Sequence, residues 1–304
     1  MSLKGQVALV TGASRGIGRG VAHQLGKAGV IVYISALKPE DEDPIVQSLQ
    51  PKLPTLMQVA EEINSQGGTC IPIFCDHSDY KQVQALFERI NFEQKGRLDI
   101  LVNNAYSAVT TMLTKMHTKF FDLPEDIYDI CCEVGLKGHY ICARHAAKMM
   151  VKQGSGLIVE ISSPGGINYI YNVAYGIQKS GSERLASDIA VELKEFNVTS
   201  VCLVPGPVKS ELYSDEIGMV RKEKAQVVST YANGETIEFS GKCVAALASD
   251  PKLIEKTGQI LLTMELAKEY NLKDEDGRQP ICPIASKYLD YIHEVNRVRS
   301  QTSL

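Results

Sequence analysis

A hydroxyl, a phenol and an amine lie in order along residues 162–179, "SSPGGINYIYNVAYGIQK". Tyr175 and Lys179 are four residues apart, so on a helix their side chains share a face. Of the thirteen tyrosines only Tyr175 has a lysine at that spacing. An ammonium beside a phenol favours the phenolate. Bringing a tyrosine from about 10 towards neutrality takes roughly 4 kcal/mol. The chemistry this suits is proton exchange with the oxygen of a carbonyl or alcohol, with a serine hydroxyl holding that oxygen. Ser163, in its S-x-x-G context, is favoured over its neighbour Ser162 for that role. Tyr169 and Tyr171 have no cation partner and are expected to line a pocket or a subunit contact.

These residues need a scaffold, and the chain supplies a regular one. Short apolar runs ("QVALV", "VIVYIS", "CIPIFCD", "LDILVNNA", "GLIVEISS", "VTSVCLVPG", "GQILLT") alternate with amphipathic stretches. Strands alternating with helices imply right-handed crossovers and an α/β doubly wound parallel sheet, a Rossmann-type fold. The strands are almost continuously apolar, as a sheet covered on both faces requires. One domain over 3–265 accounts for this pattern, followed by a C-terminal extension over 266–304. In that extension Ile284, Tyr288, Tyr291, Val295 and Val298 form a helical stripe that packs on the domain or a partner subunit. Three segments break the rhythm: a proline-rich, acidic insertion at 38–56, a long connection at 106–126, and a polar, partly helical flap at 211–238.

Between the first strand and the first helix stands "TGASRGIG", Thr11 to Gly18. In a strand–turn–helix such glycines let the backbone approach a pyrophosphate, whose charge then meets the helix N-terminus. The end of the second strand reads "YISALK", with Ser35, Ala36 and Leu37 where a carboxylate for a ribose 2′-hydroxyl would stand. Arg15 and Lys38 are placed to meet a 2′-phosphate instead, so NADP(H) is expected over NAD(H). Asp41 to Asp43 are the acids able to undo that preference if the insertion folds back.

Composition removes other classes. The formal net charge is -4 and no long basic run occurs, which argues against nucleic acid as a partner. The eight cysteines show no C-x-x-C and the six histidines no ligand spacing, so buried thiols and no metal are expected. The first residues already read as a strand and no long apolar run follows, so a cytoplasmic location is expected, with membrane association disfavoured.

With "TGASRGIG", "NNA" at 103–105, the Ser–Tyr–Lys set and "PGPVKS" in order, the chain resembles the short-chain dehydrogenase/reductase superfamily over roughly residues 3–265. The resemblance implies an oxidoreductase acting on a carbonyl or alcohol. Gly12, Ser14, Arg15, Gly16, Ile17 and Gly18 would cradle the phosphates, and Asp76 would hold the adenine. Asn103 and Ala105 would lie along the adenosine ribose. Pro205, Gly206, Val208 and Ser210 would border the nicotinamide, Val208 through its backbone. Tyr175 would be the general acid and Lys179 would tune it and hold the nicotinamide ribose. It also implies a homodimer or homotetramer, and its narrower relatives include a protein associated with the endoplasmic reticulum. Two departures stand out: Gly135 occupies the usual place of an asparagine that links the lysine to solvent, and Tyr106 stands where glycine is common. The expected activity is therefore NADPH-dependent reduction of a ketone or aldehyde, lipid, steroid or xenobiotic. A cofactor-binding protein with little turnover and an NAD-dependent alcohol dehydrogenase are the alternatives. Tyr106, Phe120, Phe121, Tyr213 and Tyr231 are the aromatics expected at the substrate.

Overall fold

A computed structural model describes residues 2–49, 52–115, 118–213, 231 and 233–301. Seven parallel strands form one sheet in the order β3-β2-β1-β4-β5-β6-β7. They are β1 (Val7–Thr11), β2 (Ile31–Ala36), β3 (Thr69–Phe74), β4 (Ile100–Asn103), β5 (Gly156–Ile161), β6 (Val198–Val204) and β7 (Ile260–Leu262). Alternate residues of one strand serve opposite faces. Ala8 and Val10 join a core with Val21 and Leu25 of α1 (Gly16–Lys27) and Val59 and Ile63 of α3 (Leu56–Ser65). Val7 and Leu9 join a second core with Phe87 of α4 (Tyr80–Glu93) and Met150 of α7 (His139–Gln153). The sheet is thus a buried middle layer, which explains strands without polar alternation.

From β1 the chain winds out through β2 to β3, then crosses back to lay β4 on the other side of β1. That reversal opens a crevice beyond the carboxyl ends of β1 and β4. The interrupting segments gather around it. The insertion carries α2 (Pro44–Leu49), and the connection after β4 carries α5 (Val109–Lys115) and α6 (Ile127–Cys132). Residues 214–230, most of the expected flap, lie outside the described residues, as does the side chain of Tyr213. α8 (Val173–Leu193) follows β5 and begins at Asn172, whose side chain accepts from the Tyr175 N–H at 2.8 Å.

After the flap come α9 (Ile237–Ser249), α10 (Thr263–Glu269), α11 (Pro283–Ser286) and α12 (Leu289–Ser300). α10 runs across residue 265 and puts Leu266 and Ala267 into the first core. In the extension Ile284, Tyr288 and Val295 pack on the domain around fully buried Ile292. Tyr291 and Val298 of the expected stripe are instead exposed, because the helix turns Leu289 and Ile292 inward. All eight cysteines are buried and unpaired. Among the described residues no helix is long and apolar enough to cross a membrane.

The N-terminal helix is held by a close backbone crossing. A Cβ at Gly20 would lie 1.9 Å from the Ile237 carbonyl oxygen, and one at Gly241 2.7 Å from that of Gly20. Only residues without side chains let α1 and α9 meet this closely. Gly20→Ala is expected to push the helices apart and destabilise the protein by about 1–3 kcal/mol, read as a lowered urea midpoint. An unchanged midpoint would show that the crossing is looser than this.

Candidate active site

The crevice is a cleft of about 1140 Å³ lined by the glycine turn, the ends of the central strands, the start of α8 and the loop after β6. Its floor is a hydrogen-bonded knot. The Thr11 hydroxyl accepts from the backbone N–H groups of Asn104 and Ala105, both at 3.0 Å. Asn104 Nδ2 donates to the carbonyls of Thr11 and Gly12, both at 2.9 Å. Gly12 has φ +65°, and a Cβ there would sit 2.6 Å from Ala105 Cα. The turn can lie on β4 only because that position is glycine.

Ser14, Arg15, Gly16 and Ile17 line the cleft, with the N-terminus of α1 presented to it. Gly18 does not; it faces the turn, where a Cβ would meet the Gly12 carbonyl oxygen at 2.4 Å. Asp76 lines the cleft and accepts from the Ser78 N–H at 2.8 Å and its hydroxyl at 2.7 Å. Ala105, Pro205, Gly206, Val208 and Ser210 line it too. Asn103 is a correction. It is 0% exposed and its Nδ2 donates to Glu160 Oε1 at 2.6 Å and to the His139 carbonyl at 3.1 Å. The pleat turns Asn103 into the core, and its neighbour Asn104 lines the cleft.

The cleft wall beside the end of β2 also differs from expectation. Ser35 is buried and hydrogen-bonded to His77 at 2.8 Å, leaving Ala36 and Leu37 on the cleft wall. Lys38 is exposed and off that wall, whereas Asp41, Glu42 and Asp43 line it. The insertion folds back, and Arg15 is paired with Glu42 at 2.9 Å.

At the other end Tyr175 O–H donates to Ser163 Oγ at 2.6 Å, and the Gly165 N–H donates to the same oxygen at 2.9 Å. Ser162, the competitor, is buried and donates to the Lys179 carbonyl at 3.2 Å. Lys179 Nζ donates to the Ile161 carbonyl at 3.2 Å, 5.0 Å from the Tyr106 ring centre and 5.7 Å from that of Tyr175. Burial pushes the Tyr175 phenol up, the adjoining Tyr171 adds to this, and the Ser163 hydrogen bond opposes it. Burial pulls the Lys179 ammonium down to about 8. For the side chains alone, desolvation thus sets the direction of the Tyr175 shift, upward.

Tyr171 stacks edge-on to Tyr175 with centres 5.1 Å apart and its hydroxyl meets that of Tyr231. Tyr106, Tyr171 and Tyr231 line the cleft, but Phe120 and Phe121 are 66% and 81% exposed and stand off it. Gly135 sits in a π-helical turn, Glu133–Gly138, at the entry to α7. A Cβ at 135 would lie 2.8 Å from the Tyr106 ring and 3.1 Å from Gln178 Cδ. Gln178 Nε2 donates to the Gly135 carbonyl at 2.6 Å. The volume an asparagine would claim is thus filled by Tyr106 and Gln178, so the two departures in the sequence are one repacking.

Glu235 was not legible in the sequence. Its carboxylate accepts from the Gly206 N–H at 2.9 Å and from the Thr263 hydroxyl, and its backbone pairs with Pro207 and Lys209. It fixes the loop from Pro205 to Ser210 against the sheet. The Glu235 carboxyl is pushed up to about 7, chiefly by burial.

A family model described as short chain dehydrogenase matches residues 6–218. Dehydrogenase/reductase SDR family member 1 of Homo sapiens is 45% identical over 282 residues, covering 91% of this chain and 85% of that protein. NADPH-dependent aldehyde reductase 2, chloroplastic, of Arabidopsis thaliana is 29% identical over 255 residues, covering 82% and 89%. Among solved structures, a metagenomic short-chain oxidoreductase in complex with NADP superimposes with a TM-score of 0.64 at 27% identity, covering 86% of this chain and 97% of that one.

Two outcomes follow from the packing. Gly135→Asn is expected to cost about 1–3 kcal/mol in the wild type and clearly less in a Tyr106→Gly background. A urea double-mutant cycle reads that coupling, and strictly additive costs would contradict the shared volume. For Glu235 the folded chain holds its proton more tightly than the unfolded chain, at about 7 against an ordinary 4.5. Its contribution is therefore complete below pH 4.5 and is lost as pH rises through 7. Glu235→Gln should remove about 1–3 kcal/mol of that decline, seen as a flatter dependence of the unfolding midpoint from pH 5 to 8. A slope identical to the wild type would place the titration elsewhere.

Proposed function

The chain belongs to the short chain dehydrogenase family, and we propose that within it the protein is an NADP(H)-dependent reductase of ketones or aldehydes. The observation that carries this reading is the half-buried Tyr175–Ser163 hydrogen bond of 2.6 Å, beside Lys179, in the cleft that begins at the glycine turn. The glycine turn fits a dinucleotide. Its backbone approaches β4 without a Cβ at Gly12, and α1 has no acidic residue in its own first turn to repel an anion. Gly12, Ser14, Arg15, Gly16 and Ile17 would hold the phosphates, and Pro205, Gly206, Val208 and Ser210 the nicotinamide end. When bound, that group supplies the hydride.

The residues do the rest. Ser163 Oγ accepts two hydrogen bonds and, among the described residues, donates none, so its proton is free to hold a carbonyl oxygen. Tyr175 then protonates that oxygen as it becomes an alkoxide. A phenol kept protonated by burial is in the form reduction needs at neutral pH. The Lys179 ammonium beside both rings stabilises negative charge as it develops. For the 2′-phosphate, the support is Arg15 on the cleft wall, whose pair with Glu42 such a phosphate has to displace, together with Ala36 and Leu37 without a carboxylate and the NADP of the metagenomic relative. Tyr106, Met112, Tyr171, Tyr231 and Ile284 make the substrate end apolar, which suits a hydrophobic carbonyl.

Purified protein is expected to oxidise NADPH with apolar aldehydes or ketones, and Tyr175→Phe to lower kcat about 10²- to 10⁴-fold while NADPH still binds. Undiminished turnover in that variant would remove Tyr175 from the proton transfer.

A further inference from the structure

Two carboxylates stand on donors that a dinucleotide needs. The Gly16 N–H, at the start of α1, donates to Glu211 Oε2 at 2.7 Å, and Arg19 donates to Glu211 Oε1 at 3.0 Å. This N–H is among those left without an intrahelical partner, at the positive end of the helix dipole. Glu211 reaches it from 195 residues away, directly after Ser210 of the nicotinamide loop. At the adenosine end, Arg15 donates to Glu42 at 2.9 Å, and the Glu42 side chain is only 7% exposed. The insertion that brings Glu42 is held in place by Gln47, whose Nε2 donates to the Glu42 carbonyl at 2.7 Å and the Glu40 carbonyl at 2.9 Å. Its neighbour Asp43 is occupied as the cap of α2, accepting from the Ile45 N–H at 2.8 Å.

We propose that Glu211 and Glu42 set the affinity and the phosphate selectivity of the cofactor site. Glu211 competes with the pyrophosphate for the Gly16 N–H, and Glu42 competes with a 2′-phosphate for Arg15. This rests on reading the cleft as a dinucleotide site. An N–H that donates to a carboxylate is not available to a phosphate oxygen, and two anions sharing one donor repel. A pyrophosphate on the glycine turn therefore has to displace Glu211, whichever nucleotide carries it. Displacing Glu42 is required only by a nucleotide with a 2′-phosphate; a ribose hydroxyl leaves the Arg15 pair intact. The consequence is a division of labour: Glu211 lowers affinity for both nucleotides, and Glu42 lowers it for NADPH alone. Glu42 thereby acts from the insertion where other chains would carry an acid at the end of β2.

The test is direct binding, with no carbonyl present, followed by the fluorescence of NADPH and of NADH. Glu211→Gln is expected to tighten both nucleotides on the order of 10-fold, the worth of one charge-assisted contact. Glu42→Gln should tighten NADPH on the order of 10-fold and leave NADH within about 2-fold. Glu211→Ser serves as a second variant that removes the carboxylate, and thermal melting checks that each protein is folded. If the wild type binds and the Glu211 variants bind both nucleotides no more tightly, the competition at Gly16 is overturned while the dinucleotide reading stands. If Glu42→Gln changes both nucleotides equally, the selectivity role is overturned. If neither wild type nor variants bind either nucleotide, the reading of the cleft falls and the inference with it.

Discussion

Everything in the cleft is placed by the contact between the glycine turn and the end of β4. Four hydrogen bonds converge on Thr11 and Asn104 over this contact, and the 2.6 Å approach of a hypothetical Gly12 Cβ to Ala105 shows how little room it leaves. Each bond contributes about 0.5–1.5 kcal/mol net. Their larger effect is geometric, because they fix where the N-terminus of α1 points relative to the ends of β4 and β5. Ser163 follows β5, and Tyr175 and Lys179 follow from it through α8. Moving the turn off β4 would separate the glycine turn from the Ser163–Tyr175 pair.

Electrostatically the cleft is divided. Its inner end is desolvated, which keeps the Tyr175 phenol protonated and weakens the Lys179 ammonium. Its outer end is charged, with Arg15 and Arg19 facing Glu42 and Glu211. The first arrangement favours donation of a proton; the second sets the protein's own carboxylates on the Arg15, Gly16 and Arg19 donors. Glu235 connects the ends by holding the loop that runs from Pro205 to Glu211.

The sheet was legible because apolar runs and amphipathic stretches alternate with little interruption. Ser163, Tyr175 and Lys179 were legible because two lie one helical turn apart and the third closes the preceding strand. What escaped depends on contacts between distant segments. Asn103 and Asn104 differ only in which side of the pleat they occupy, and composition does not fix that phase. Glu42, Glu211 and Glu235 are ordinary glutamates until the fold brings them to Arg15, Gly16 and Gly206. Gly135 read as a missing amide, whereas its neighbour in space is Tyr106, which the sequence flagged separately. Phe120 and Phe121 have the residue type of a pocket wall, and their exposure shows that type alone does not place an aromatic.

The central claim is that the cleft joins a bound nicotinamide to a carbonyl held by Ser163 and Tyr175. The most direct measurement is isotope transfer from NADPH deuterated at the reactive carbon, in each stereochemistry, to a panel of apolar ketones and aldehydes, read by mass spectrometry of the alcohols. The account predicts that one of the two labelled forms delivers its deuterium to the carbinol carbon and the other does not. NADPH that binds and yet transfers no deuterium to any member of the panel would contradict it.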